Sequence, residues 1–552
     1  MGAALRHTVT LAAALAGALL LAPHAGLRAD EGEEDESEDT GIDLPLPPVP
    51  SDPAAREQWL TLACDAALAA APTLARADVG AVVLDVASGR VLWHHDGERA
   101  LSLASVTKVL TTAAALSGLG PGFRWRTSLL AERPDHDTGV IDGDLYVRPR
   151  GDPTLTMDGL RDLARQLAWR GVRRVDGTLV IDGTYFADDG PPPRFDDQPN
   201  ERAGYRAPVA SASLERNAVT VIVVADRAGG PASVTLDPPG GDYVRLAERA
   251  VVSVDRGRSR IRVDSEEQDG VLTLRVSGQL NPDDGVYFAR RRVEAPDRLL
   301  AAGLRAALAD AGIRVRGTRV EHGAPPPTAV LLAEHTSATL GEVVRDMDKN
   351  SDNFVAETVL KTLGAEVLAR ATAAATAAPA DPSAPPPAPR SATWADGQRA
   401  VARYLTDVAG LAPASFRVEN GSGLYDASEV SAHAVAQVLA TAYRDLRVGP
   451  EMMAALSIAG VDGTLRKRLK APGVRARVRG KTGTLAAVSS LAGYAGVDTG
   501  RPLAFAVIIN RLPGGQRPAA RTLQDAIAAI AVRATTAPPA AVSPPGATTP
   551  TP

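Results

Sequence analysis

"LSLASVTKVLTTAAALSGLG", Leu101 to Gly120, is the stretch on which the fold turns. It reads as an apolar helix, yet it carries Lys108 three residues after Ser105. An ammonium among such neighbours costs solvation free energy unless something holds it. Of the 60 Lys+Arg residues only Lys108, Lys349, Lys361, Lys467, Lys470 and Lys481 are lysine. Wherever any cation serves, this chain uses arginine. A lysine in an apolar helix therefore points to what a guanidinium cannot do, which is lose its proton. The i, i+3 spacing puts Ser105 and Lys108 on one helix face. A serine hydroxyl is a weak nucleophile until a base takes its proton, and burial lowers a lysine's pKa, so a neutral amine one turn away can be that base. With Ser105 opening the helix, its hydroxyl and amide N–H sit at the positive end of the dipole. The pair alone is also what a lysine snorkelling to the surface would give.

Two other stretches narrow the choice. "KNSDNF" places Ser351, Asp352 and Asn353 just before a helical pattern, where by themselves they read as an N-cap. "RGKTGTL" places Lys481, Thr482, Gly483 and Thr484 at the opening of a strand, with a glycine that permits close backbone approach. In the order S-x-x-K, S-D-N, K-T-G, the three form the signature set of β-lactamases and penicillin-binding proteins.

Outward from these motifs, the 552 residues exceed one ordinary domain, and 45% hydrophobic with 23% charged content describes a globular chain with a substantial core. A net charge of −5 with scattered arginines gives no reason to expect nucleic-acid binding. Arg6 and His7 precede an apolar run from Val9 to Ala22, which is too short to span a bilayer and reads as a cleaved export signal over residues 1–29. A periplasmic protein without a transmembrane anchor is the expectation. The acidic "DEGEEDESED" (30–39) and proline-rich "LPLPPVP" (44–50) read as a solvated spacer over 30–52. The only cysteine, Cys64, excludes an intramolecular disulfide and reads as a small buried hydrophobe.

A helix is expected near 56–71 and a hairpin with strands near 82–86 and 91–94 around a Ser-Gly turn. From 123 to 327 short β-rich runs such as "GTLVIDGTYF", "AVTVIVVA" and "VLTLRVSG" predict an inserted β-rich module, in one or two lobes, with helices near 157–170 and 297–311. Residues 53–122 and 328–533 then form the two parts of one catalytic domain. Inside the second part, "ATAAATAAPADPSAPPPAPRSA" (371–392) reads as a loose Ala/Pro linker. "KTGTLAAV", "SSLAGYAGV" and "LAFAVIIN" read as three strands, a last helix covers 519–533, and 534–552 is a disordered tail. The eight histidines show no ligand spacing, so neither a metal nor another cofactor is expected.

With "GDPTLT" (151–156), "YRAPVASASLERNAVTV" (205–221), "NSDNFVAETVLKTLG" (350–364), "NGSGL" (420–424), "AGVDGTLRKRL" (459–469) and "GKTGTLAAVSSLAGYAG" (480–496), the chain resembles the class C low-molecular-mass penicillin-binding proteins, the exported D-alanyl-D-alanine carboxypeptidase/endopeptidase family. The resemblance covers about residues 56–533 and accounts for the long gap between Ser105 and Ser351, where this family inserts domains. It implies a mixed α/β chain whose β-lactamase/transpeptidase-like catalytic domain has a five-stranded antiparallel sheet flanked by helices.

The resemblance further implies Ser105 as nucleophile, Lys108 as base, Ser351 as proton relay and Asn353 as a substrate hydrogen-bonder. Lys481, Thr482, Gly483 and Thr484 would bind the substrate carboxylate, with the N–H groups of Ser105 and Thr484 as oxyanion hole. The implied partners are the peptide of peptidoglycan and, as inhibitors, β-lactams. Asp352 is expected to shape its loop. The acidic residues Asp188, Asp189, Asp196 and Asp197 read as a solvated turn or as a seat for a substrate amine. A β-lactamase of related fold and a non-catalytic wall-binding protein are the competing readings.

Overall fold

The computed structural model describes residues 27–28, 47–225, 227, 229–377 and 390–536. Apart from Leu27–Arg28, which pair parallel with Tyr287–Phe288, the expected export signal lies outside the described residues, as do most of the acidic spacer and the tail beyond 536. Among the described residues no helix is long and apolar enough to cross a membrane.

The central sheet contains β1 (Asp78–Asp85), β2 (Val91–His95), β3 (Ser457–Ile458), β4 (Val478–Leu485), β5 (Val488–Ala495) and β6 (Leu503–Asn510), in the order β3-β4-β5-β6-β1-β2. Every neighbouring pair is antiparallel. Five strands match the expected sheet; the sixth, β3, is two residues long and carries too little pattern to be seen in sequence.

Side chains alternate across the sheet with the period of two that strands impose. Val79, Ala81, Val83, Phe505, Val507 and Ile509 enter one apolar cluster, and Val82, Leu84, Ala504, Ala506 and Ile508 enter another on the opposite face. Both faces are covered, so these strands read as continuous hydrophobic runs. Helices α1 (Pro53–Ala69) and α6 (Arg517–Thr535) supply Trp59, Leu60, Leu523 and Ile527 to the first face. Helices α2 (Thr107–Leu119), α3 (Leu340–Asn350), α4 (Asn353–Ala377) and α5 (Ala432–Arg444) fill the second. Removing a fully buried ring such as Phe505 to alanine would cost about 3–5 kcal/mol. Cys64 is fully buried, as a small hydrophobe should be.

Helix starts and stops follow local chemistry. Asp52 caps α1 by accepting from the Ala55 amide at 2.8 Å, with Pro53 in the first turn. Thr339 and Glu342 form a reciprocal capping box at α3. Gly120 ends α2 at φ 84°, a conformation costly for any side chain.

Between α2 and α3 lies the β-rich insert. Its five-stranded sheet runs in the order Val320–His322, Leu179–Ile181, Leu145–Arg148, Arg126–Ala131, Val330–Thr336, with helices Met157–Trp169 and Pro296–Asp310 against it. Smaller sheets built from residues 218–292 share the same apolar core, so one contiguous core runs through the insert. The outgoing strand Arg126–Ala131 pairs antiparallel with the returning Val330–Thr336. The Trp125 amide donates to Ser337 Oγ at 3.0 Å, and the Ser337 amide returns a bond to Trp125 O at 3.1 Å. The chain therefore re-enters beside the point where it left, which sets α3 next to α2.

Only the two ends of the stretch 371–392, expected as a loose linker, are described. Its first seven residues continue α4, since alanine is the best helix former and low complexity there is helical rather than slack. At its other end the Ala187 amide donates to Ala392 O at 2.8 Å, and Ala392 is buried. Residues 378–389 lie outside the described residues.

Candidate active site

Ser105 sits in a tight 3-10 turn, Ala104–Val106, immediately before α2, rather than in regular helix. Lys108 follows in the first α-helical turn and is fully buried. Its Nζ lies 3.0 Å from Ser105 Oγ, 2.7 Å from Asn353 Oδ1 and 3.3 Å from Ser422 O. The snorkelling alternative is thereby removed: this lysine points inward, among oxygens.

Helix α3 ends at Ser351, which adopts left-handed geometry at φ 57°, ψ 34°, and α4 begins two residues later. That sharp junction aims Ser351 and Asn353 into the same space. Asp352 accepts from the Val355 amide at 2.9 Å and pairs with Arg216 of the insert at 2.8 Å, so its carboxylate is spent on shaping the junction.

Strand β4 supplies the third wall. Lys481, fully buried, places Nζ 3.0 Å from Ser351 Oγ and 2.8 Å from Thr482 O. Thr482 Oγ1 donates to Thr464 Oγ1 at 2.8 Å, and Thr484 is half-buried opposite Ser489 of β5. Gly483 lies so close to the Ser105 turn that a Cβ there would stand 2.9 Å from Ser105 N and 2.6 Å from Leu103 O. Three remote segments thus meet in one cleft.

Several supporting groups carry no motif. Glu357, one turn along α4 from Asn353, is buried and accepts the amides of Gly421 and Ser422, both at 2.9 Å. Burial pushes its carboxyl up, while those bonds and the Lys108 charge pull it down. By holding that loop it holds Ser422 O against Lys108. Asp348 is fully buried on α3 and accepts from Thr112 Oγ1 at 2.8 Å. Burial raises its carboxyl to about 7 despite the nearby charges of Lys481 and Lys108. Glu357 stands out in sequence as a lone acid in the apolar run that opens α4, whereas Asp348 is hidden among Glu342, Arg345, Asp346 and Lys349 on the charged helix α3.

Two members of the insert's acidic cluster, Asp189 and Asp197, have protein partners of their own. Asp189 accepts from Lys361 Nζ at 2.6 Å and from the Trp394 amide at 2.7 Å, and Lys361 lies 4.4 Å over the Trp394 ring. It fastens the insert to α4 and to the segment at 394. Asp197 faces Arg194 at 3.5 Å.

A family model described as D-Ala-D-Ala carboxypeptidase 3 (S13) matches residues 60–381 and 387–534. The chain is 33% identical over 472 residues to a D-alanyl-D-alanine carboxypeptidase of Actinomadura sp. (strain R39), covering 83% of this chain and 81% of that protein. It is 27% identical over 450 residues to the D-alanyl-D-alanine carboxypeptidase DacB of Haemophilus influenzae, covering 78% and 85%. The crystal structure of penicillin binding protein 4 (dacB) from Haemophilus influenzae shares the fold, with a TM-score of 0.64 over 81% of this chain and 95% of that one at 24% identity. With its family model spanning nearly the whole folded region, the chain belongs to the D-Ala-D-Ala carboxypeptidase 3 (S13) family.

Proposed function

We infer that this chain is a serine D,D-peptidase of the cell wall, which cleaves D-Ala-D-Ala or D-Ala-diaminopimelate bonds in peptidoglycan through an acyl-enzyme and is acylated by β-lactams. The observation that carries the reading is Lys108 Nζ at 3.0 Å from Ser105 Oγ. Asn353 Oδ1 and Ser422 O can only accept, whereas a hydroxyl can accept or donate. An amine giving its two N–H bonds to those two acceptors keeps its lone pair for the Ser105 proton.

Ser105 Oγ attacks the carbonyl carbon of the D-Ala residue, and Lys108 takes the hydroxyl proton. The oxyanion is held by the N–H groups of Ser105 and Thr484; losing one such donor typically costs about 10²- to 10³-fold in rate. Ser351, bonded to Lys481, relays a proton to the leaving amine as the C–N bond breaks. Asn353 hydrogen-bonds the substrate amide. Lys481, Thr482 and Thr484 receive the terminal carboxylate, with Gly483 keeping β4 close. Water then hydrolyses the ester and frees Ser105. A β-lactam presents the same amide in a ring, so its leaving group stays attached and deacylation is slow.

The catalytic domain is assembled from 53–122 and 337–533, around an insert that runs past the expected boundary at 327 because strand Val330–Thr336 belongs to the insert's sheet. The apolar run 9–22 behind Arg6 and His7 supports action outside the cytoplasmic membrane, in the periplasm.

The test is to incubate the purified chain with penicillin and measure its intact mass over time, alongside release of D-Ala from a peptide ending in D-Ala-D-Ala. A lasting adduct on Ser105 with D-Ala release is expected, and Ser105→Ala should lose both. Rapid loss of the adduct would favour a β-lactamase; no adduct and no release would leave a non-catalytic binder. Digesting cross-linked muropeptides, with mass analysis of the products, separates carboxypeptidase from endopeptidase action.

A further inference from the structure

Behind the cleft, out of reach of substrate, lies a carboxyl that the reaction above does not use. Asp348 and Ser351 are spaced i, i+3 on α3, and Lys108 and Thr112 are spaced i, i+4 on α2. The Thr112 Oγ1 to Asp348 Oδ2 bond, 2.8 Å, therefore joins the two helices one turn behind their reacting groups. Asp348 Oδ1 is buried with no hydrogen-bond partner, although a carboxylate would want several. The charged groups that face it are Lys108 from α2 and Lys481 from β4, both fully buried; Thr112 is its polar neighbour.

We propose that Asp348 is a positioning residue that holds a proton in place of Lys108, so that Lys108 stands neutral while Lys481 stays charged. The inference rests on the peptidase reading. Its basis is proton counting within a buried trio. The arrangement with neutral Asp348, neutral Lys108 and charged Lys481 has the same net charge and the same number of protons as ionised Asp348 with two ammoniums. The two differ only in where one proton resides, and only the first has a base for Ser105. The unpartnered Oδ1 favours the neutral carboxyl, because leaving a buried carboxylate oxygen unbonded is costly. When Asp348 does ionise, its charge favours protons on both lysines, which withdraws the base but secures the carboxylate-binding cation.

The experiment is the pH profile of penicillin acylation, as the second-order rate constant, for the wild type, Asp348→Asn and Thr112→Val. Asparagine keeps the shape and cannot ionise. Because Asp348 is already neutral where Lys108 acts as base, the acid limb, which reports Lys108, should stay in place. Above the pH at which Asp348 ionises its anion holds the proton on Lys481, so without it the alkaline limb should move to lower pH by about one unit. Thr112→Val removes a donor that favours the carboxylate, so it should move the alkaline limb the same way by less and leave the acid limb in place; it also carries the test if Asp348→Asn fails to fold. An acid limb that moves to lower pH in Asp348→Asn would mean that Asp348 is an anion beside Lys108 and would overturn the proposal. So would a profile that drops in height with both limbs in place, which would reduce Asp348 to a packing residue. If the wild type is not acylated at any pH, the peptidase reading itself fails.

Discussion

Ser490 of β5 donates its hydroxyl to the carbonyl oxygen of Leu103, 387 residues earlier, at 2.6 Å. That bond ties the sheet to the turn carrying Ser105, two residues on. The nucleophile is thus held by the sheet below it as well as by its own helix. Gly483 of β4 lies beside this bond, and a Cβ there would collide with both of its oxygens.

Gly483→Ala follows from this directly. The added methyl would lie 2.4 Å from Ser490 Oγ, 2.6 Å from Leu103 O and 2.9 Å from Ser105 N. Two of those atoms are backbone, so β4 or the Ser105 turn must move, and an oxyanion donor moves with it. Penicillin acylation should slow by about 10²-fold or more, while α1 and α6 keep their packing on the far face of the sheet. Stopped-flow labelling with a fluorescent penicillin would show it; wild-type rates would mean that the close approach does not matter.

Lys108→Arg separates charge from basicity. The side chain keeps its positive charge, but a guanidinium does not give up its proton in a protein. General-base assistance typically contributes about 10²- to 10⁴-fold, and loss of that order is expected. The oxygens of Asn353 and Ser422 around Nζ also leave little width for a planar fork. Full penicillin labelling of the variant at the wild-type rate would remove Lys108 from the role of base.

What could be read in the sequence divides along physical lines. Ser105, Lys108, Ser351, Asn353 and the 481–484 stretch stand out because each is a polar residue in an apolar or turn setting at a telling spacing, and the cleft brings them together. The strands β1, β2, β4, β5 and β6 stand out because their apolar runs are bounded by turn residues. Pairings set by tertiary contact left no local trace. The two-residue β3 is defined only by its neighbour β4, and the Ser490–Leu103 bond joins segments far apart in sequence. Asp189 illustrates the converse: an acidic turn reads as solvated until Lys361 and Trp394 are seen to meet it. The alanines of 371–377 extend α4, because alanine favours helix and low complexity alone does not distinguish a helix end from a linker.

Glu357→Gln tests whether the 420–423 loop is positioned from α4. Glutamine retains one acceptor oxygen and turns an NH₂ toward the other amide, leaving a buried N–H without its partner at a cost of about 1–3 kcal/mol. The melting temperature should fall, and acylation should slow because Ser422 O is one of the oxygens placed at Lys108. Wild-type melting and wild-type acylation together would show that the loop is held by other contacts.

Asp348 also makes a prediction for stability that is independent of catalysis. Its carboxyl is raised from an ordinary 3.8 to about 7 in the folded chain, with burial as the largest cause. The unfolded chain ionises first, so each pH unit between about 4 and 7 favours unfolding by about 1.4 kcal/mol at this one group. The contribution is complete below the unfolded value, is lost as pH rises through the folded value, and is constant above it. Asparagine at 348 does not titrate. The melting temperature of Asp348→Asn minus that of the wild type should therefore climb between about pH 4 and 7 and then level off, whatever its sign at pH 4. Differential scanning fluorimetry across that window measures it. A difference that stays flat with pH would mean that Asp348 is ionised in the folded chain throughout, held by Lys108 and Lys481 more strongly than burial opposes it.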